Sequence, residues 1–253
     1  MITLLPDAES ASVLVTVTTT RSSVALYRTD QNGRQLVRLL PGQTVTGGAL
    51  IVRDYEPALV GQITYSAHGL SASTFLDRGE HRVSRDWASV VARPQYNATA
   101  DVIPAISRTV GTGSIVHNVI GRSDAPVTLQ PSGPASGTVT IVTRSREEAQ
   151  AFEDLHSLGK AVLFRFAAHE SQTVYRDFYA VTTTYDATPD PVNSLPRPHH
   201  VTLGYTEVRR PAGALLGALG WTYDAVVALG VTYDDLPEQY ATYNDLTAGV
   251  PRV

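Results

Sequence analysis

The stretch Thr138–Phe166, TVTIVTRSREEAQAFEDLHSLGKAVLFRF, decides how the rest of the chain is read. Its first six residues alternate, with Val139 and Ile141 on one face, as a strand with one buried side requires. Ser145 followed by Glu148 is a capping box, which starts a helix. Ala149, Phe152 and Leu155 then fall at three-residue steps on one face of a helix over 146–158. Gly159 ends it. Ala161–Phe166 returns as a strand with Val162, Phe164 and Phe166 on one side. A strand, a helix with one apolar face and a strand predict a β layer with one helix packed on it.

Outward from this stretch the signals are almost all β. Val13, Val15 and Val17 alternate with Leu14, Thr16 and Thr18, and Ile63, Tyr65 and Ala67 alternate with their neighbours. Asn32-Gly33 reads as a tight turn between strands near Val24–Tyr27 and Gln35–Leu39. Pro41-Gly42 and Gly47-Gly48 punctuate the next two strands. Short strands at about ten-residue spacing predict a small sandwich over 1–83, of fibronectin type III or immunoglobulin type. Residues 84–110, with Trp87, Val90, Val91, Pro94 and Tyr96, read as a connector lying against the next domain. Residues 111–210 read as a second, sandwich-like β domain. Its further strands fit Val174–Tyr185 and His200–Val208, joined by a proline-rich loop over Pro189–Pro198.

Residues 211–253 are different. Thr222-Tyr223-Asp224-Ala225-Val226, Thr232-Tyr233-Asp234-Asp235-Leu236 and Thr242-Tyr243-Asn244-Asp245-Leu246 repeat one phrase at a ten-residue interval. Capping boxes at Thr232–Asp235 and Thr242–Asp245, with Pro237 as a breaker, predict an arm of short helical turns. Single turns are unstable alone. The arm must therefore lay Tyr223, Val226, Tyr233, Leu236, Tyr243 and Leu246 on another surface, and these six are the candidate subunit-interface residues. The arm carries five acids against Arg252 alone, the whole net charge of −4. Its partner surface should be neutral or basic.

Composition excludes several functions. The chain has no cysteine, so disulfides, thiolate metal sites and thiol catalysis are absent. No basic stripe favours nucleic acid, and no apolar run has the ~18 residues of a membrane span. The N-terminus lacks a signal-peptide pattern, so assembly in the cytoplasm is expected. Ser157-x-x-Lys160 has the spacing of a serine–lysine nucleophile, but Gly159 breaks the turn between them and no Lys-Thr-Gly follows. The adjacent pair His199-His200 points to opposite faces of a strand and cannot readily chelate one metal. Asp234-Asp235 fits helix capping better than acid–base work. Gly111-Thr112-Gly113 is a turn without a phosphate-loop lysine. Asn97-Ala98-Thr99 is a glycosylation sequon that means nothing in an unexported chain. No catalytic residue, cofactor or metal is predicted.

The second half resembles tail proteins of siphophages, particularly those of actinobacterial hosts, that sit near the tail tip. The resemblance is carried by Thr138–Thr143, the helix Glu147–Leu158, Ala161–Phe166, Phe178-Tyr179-Ala180-Val181, Val201-Thr202-Leu203 and Glu207-Val208-Arg209-Arg210-Pro211. The first half looks like the small sandwich of such proteins through Asp54-Tyr55-Glu56-Pro57 and Ile63–Ala67. The resemblance implies a minor or distal tail protein, a structural virion protein without enzymatic activity. It would form a ring, typically of six copies, joining the tail tube protein to hub and baseplate proteins in the virion. Distal tail proteins usually place the ring domain first, whereas here the sandwich leads, so an adjacent hub or peripheral role stays open. The alternative is a receptor- or carbohydrate-binding tail module.

Overall fold

A computed structural model describes residues 1–39, 43–79, 82–91, 93–101, 103, 105–112, 114–117, 120, 124, 127–128, 131–167, 176–189 and 198–211. The first unit is a sandwich of seven strands: β1 (Ile2–Asp7), β2 (Ser12–Thr18), β3 (Tyr27–Asp30), β4 (Gly33–Leu36), β5 (Ala49–Asp54), β6 (Gln62–Ala67) and β7 (Leu70–Phe75). One sheet has the order β1-β2-β5, the other β4-β3-β6-β7, and all pairs are antiparallel. This three-plus-four arrangement is the small antiparallel sandwich that the alternating pattern and strand spacing predict. Val13, Val15 and Val17 face Leu50, Val52, Ile63 and Tyr65 in its core, and all are buried. Each such aliphatic side chain contributes about 1.5–3 kcal/mol by leaving water.

The turns follow local chemistry. Gly47 and Gly48 both have positive φ (60° and 78°), and Thr46 and Ala49 exchange backbone hydrogen bonds across them, the geometry of a type I′ hairpin. At Asn32-Gly33 only the glycine has positive φ (91°). The loop is Gln31-Asn32, and Gly33 already pairs with Asp30. The turn was legible there, but its flanking strands lie closer to it than the sequence suggests, at Tyr27–Asp30 and Gly33–Leu36. Pro41-Gly42 lies outside the described residues.

The second unit is one seven-stranded antiparallel sheet, not a second sandwich. Its strands are β8 (Asp86–Ser89), β9 (Ala98–Ala100), β10 (Ala105–Thr112), β13 (Ser132–Thr143), β14 (Ala161–Arg165), β15 (Phe178–Pro189) and β16 (His199–Val208), in the order β10-β13-β16-β15-β14-β8-β9. Two short strands, β11 (Ile115–Val116) and β12 (Val127–Thr128), pair with each other. Residues 84–110 are therefore not a connector, because they supply three strands of this sheet. The apolar residues that set this segment apart from a free linker are strand residues, and β8 is buried along its whole length. The loop over Pro189–Pro198 lies mostly outside the described residues.

Helix α1 (Arg146–Ser157) packs one face of the sheet with Ala149, Phe152 and Leu155 buried, as the three-residue spacing requires. Ser145 Oγ accepts from Glu148 N at 3.3 Å, while the Glu148 carboxylate accepts from Arg144 N at 2.7 Å. The capping box thus closes one residue early. Gly159 takes φ +58° and ends the helix. Among the described residues no helix is long and apolar enough to cross a membrane.

Around β8 and β14 the other face of the sheet meets the sandwich. In β14, Val162 and Phe164 face the helix, yet Leu163 and Arg165 are buried as well. Trp87 on β8 and Ala167 after β14 join the sandwich core. The two units share one seam.

Candidate functional site

Two features stand out from this framework, a projecting hairpin and the seam itself. The hairpin begins with β10, the edge strand, which among the described residues pairs only with β13. The Ala105↔Thr140 to Thr112↔Ser132 register leads on to β11 and β12, where Ile115 pairs with Thr128 and Val116 with Val127. β10 with β13 and β11 with β12 are thus antiparallel pairs, and since β13 meets β16 only from Ser136 on, the β10–β13 pairing before it is a two-stranded ribbon among the described residues. Described residues 107–111, 117, 120, 124, 128 and 131–134 are all exposed. Ile120 stands fully in solvent and Val110 is 42% exposed. The opposite edge, β9, is three residues long and mostly buried. Close approach shapes the root of the ribbon: a Cβ at Gly137 would lie 2.0 Å from Ser107 O, so only glycine lets β10 and β13 come together there.

The seam is polar and densely paired. Arg28, 1% exposed, donates through Nη1 to both Asp54 oxygens at 3.0 and 2.8 Å and through Nη2 to Gln35 Oε1 at 2.8 Å. Its Nε lies 2.9 Å from Asp30 Oδ2, an ion pair outside hydrogen-bond angles. Burial alone would lower its pKa, but the carboxylates of Asp54 and Asp30 outweigh that and raise it.

Glu56 is the junction between units. It accepts from Arg38 Nε of the sandwich (3.0 and 3.2 Å to its two oxygens), from Arg210 Nε at 3.2 Å and Arg210 Nη2, and from the Tyr179 hydroxyl on β15. Burial pushes the Glu56 carboxyl up, but the Arg210 hydrogen bond and the charges of Arg210, Arg38 and Arg28 hold it below the usual glutamate value. Burial, with Glu56 beside it, pushes the Tyr179 phenol up. Arg210 Nη2 also donates to Leu36 O at 2.9 Å, which pins the last described residues to the sandwich.

Arg165 crosses the seam deeper in. It donates through Nη1 to Ala11 O (2.7 Å) and Pro57 O (3.1 Å) of the sandwich and through Nη2 to Ser89 Oγ (2.9 Å). Complete burial lowers its pKa to about 10, against the opposing pull of Asp177 and Asp54, so it is charged at neutral pH. Asp177 accepts from Asn32 Nδ2 (2.8 Å) and Phe166 N (3.2 Å). Burial raises its pKa, and these bonds and Arg165 offset only part of that. Between the β3–β4 hairpin and the β14–β15 strands the seam opens into a cleft of about 410 Å³.

The six interface candidates Tyr223, Val226, Tyr233, Leu236, Tyr243 and Leu246 lie outside the described residues, as do Asp234, Asp235 and Gly113. Ser157 Oγ donates to Asp154 O at 2.7 Å, a helix-end bond. His199 and His200 are neighbours on β16. Asn97 Oδ1 accepts from Val90 N at 3.0 Å and serves a turn. Among the described residues no group of three or more histidines and carboxylates is placed to hold a metal ion. The seam residues Arg28, Glu56, Arg165, Asp177 and Arg210 carry no site motif in the sequence. One signal existed for Arg165, a charge at an alternate position inside a strongly apolar strand. No protein-family model matches the chain, and no curated protein matches it.

Proposed function

We propose that this chain is a structural virion protein of a long non-contractile phage tail, assembling in the host cytoplasm and joining tail tube to tail tip through contacts with copies of itself. The observation that supports the reading is the ribbon formed where β10 pairs with the start of β13 and β11 pairs with β12. A two-stranded hairpin is marginally stable in water by itself, and an open strand edge is a template for pairing with another chain. Its described residues 107–111, 117, 120, 124, 128 and 131–134 are exposed, and β10 is an edge strand of the seven-stranded sheet among the described residues. A welded two-unit body that carries such a ribbon is suited to repeated subunit contacts. The number six, and the tube, hub and baseplate partners, come from the resemblance alone.

The test is light scattering on the purified chain over a wide concentration range, together with a cryo-EM map of the assembled particle. A closed ring is expected. Val110→Lys, which sets a charge on an exposed edge position, should abolish ring formation without changing the unfolding midpoint. A map that places isolated single copies on the particle overturns the proposal. The cleft in the seam favours a second reading, a receptor- or carbohydrate-binding tail module, and a glycan screen on the purified chain separates the two.

A further inference from the structure

The cleft in the seam has an imbalance of hydrogen-bonding groups. Its carboxylates are already used. Both Glu56 oxygens take donors from Arg38, Arg210 and Tyr179, and both Asp177 oxygens take donors from Asn32 and Phe166. The donors are not used up. Arg176 lines the cleft, is exposed and makes no hydrogen bond or ion pair among the described residues, and Gln31 beside it makes none there either. Gln35 spends its carbonyl on Arg28 and keeps its amide N–H groups. The unmet demand is therefore for an oxygen-rich anion, and Arg176 offers the planar fork that pairs a carboxylate. Leu163 also lines the cleft, but at 3% exposure it offers a ligand almost no apolar surface. The side-chain amides of Gln31 and Asn32 add free carbonyl oxygens of the kind a peptide N–H requires. The volume lies within the range that seats a small ligand or a few residues of peptide.

We infer that this cleft binds an acidic peptide segment, with a carboxylate on Arg176. The occupant with that chemistry is the acidic segment of this same chain, in cis or from a neighbouring copy. Asp235 and Asp245 each supply a carboxylate, and the segment holds the whole net charge of −4. The chain also enters that segment from Arg210, which lines the cleft and is fixed to Glu56. The inference goes beyond the phage-tail reading and does not depend on it.

The chain has no cysteine, so cross-linking in the full-length protein is a clean test. Gln31→Cys combined with Thr247→Cys should form a disulfide under mild oxidation, and a non-reducing gel tells an intrachain bond from one between copies. Adding Arg176→Glu, at an exposed position, should lower the yield about fivefold or more, the scale of one partly exposed ion pair with its sign reversed. Ser73→Cys with Thr247→Cys, on the far exposed strand β7, should give little product. An unchanged yield with Arg176→Glu overturns the inference, as does equal cross-linking from Ser73. Binding of an oligogalacturonate to the full chain in a titration, lost with Arg176→Glu and without the Gln31 cross-link, assigns the cleft to acidic saccharides instead and overturns it too. All arms are read on the purified chain, so their failure is distinct from failure to find the protein in a tail.

Discussion

Replacing Glu56 by glutamine should uncouple the two units, and the size of the effect depends on who is left without a partner. Glu56 is 2% exposed and takes donors from Arg38, Arg210 and Tyr179. Glutamine keeps one acceptor oxygen and turns an N–H₂ toward the remaining donors. At least one guanidinium then loses its acceptor and meets a donor. The Arg38 side chain is 9% exposed, so water cannot replace what it loses. Arg210 is 24% exposed, so water repays part of its loss. Breaking a buried charge pair from one side costs about 3–5 kcal/mol, and with Arg210 partly repaid about 3–4 kcal/mol is expected, against a typical total of about 5–15 kcal/mol. Urea unfolding at pH 7 measures it. The pH dependence supplies a second check. The folded pKa of Glu56 lies below its unfolded value, so its contribution is present above that unfolded value and is lost as pH falls through the folded one. The gap between wild type and Glu56→Gln should therefore close on acidification. A loss under about 1 kcal/mol, or a gap that stays constant into acid, would refute the junction role.

Other perturbations probe the rest of the framework. Arg165→Leu strands Ala11 O and Pro57 O in the seam and should cost about 2–4 kcal/mol in urea unfolding, since each orphaned acceptor costs about 1–3 kcal/mol. A neutral result would mean the seam relaxes around an apolar side chain. Gly137→Ala forces a Cβ onto Ser107 O and should cost about 1–3 kcal/mol, with amide exchange speeding up first in β10. Unchanged protection there would contradict the close approach. Asp177 has the opposite linkage to Glu56: its folded pKa is raised, so its contribution is present below the unfolded value and lost as pH rises through the folded one. Asp177→Asn should remove that loss, which a stability–pH profile would reveal as a flatter approach to neutrality. Deleting 212–253 should leave both units folded and impair incorporation into the tail. If the deletion unfolds the second unit, that segment belongs to the core.

The fold was legible wherever a strand or helix has one wet face. Val13, Val15 and Val17, and Ala149, Phe152 and Leu155, announced their periods because the alternate positions meet water. It was illegible where an element is buried twice. β8 reads Asp86-Trp87-Ala88-Ser89, without alternation, and so passed for connector. Its carboxylate is buried, accepting from Ile103 N and Ala167 N at 2.7 and 2.8 Å. No local pattern distinguishes such an aspartate from one in a loop.

The seam was hidden for a related reason. In β14, Val162, Phe164 and Phe166 were readable as one buried face, which implies that Leu163 and Arg165 face solvent. They face the sandwich instead. A guanidinium can sit there because backbone carbonyls at Ala11 and Pro57, more than a hundred residues away in sequence, happen to face it. Carbonyls leave no trace in residue identity. Glu56 and Arg210 belong to two separate motifs, and nothing in either motif states that they meet. Docking of one folded unit on another is thus carried by groups that every residue possesses and by pairs with no local period. The sequence can name such elements, but the contact between them appears only in three dimensions. The same holds for the cleft: Arg176 is one of nineteen arginines, and what sets it apart is that the carboxylates lining the cleft already hold other donors.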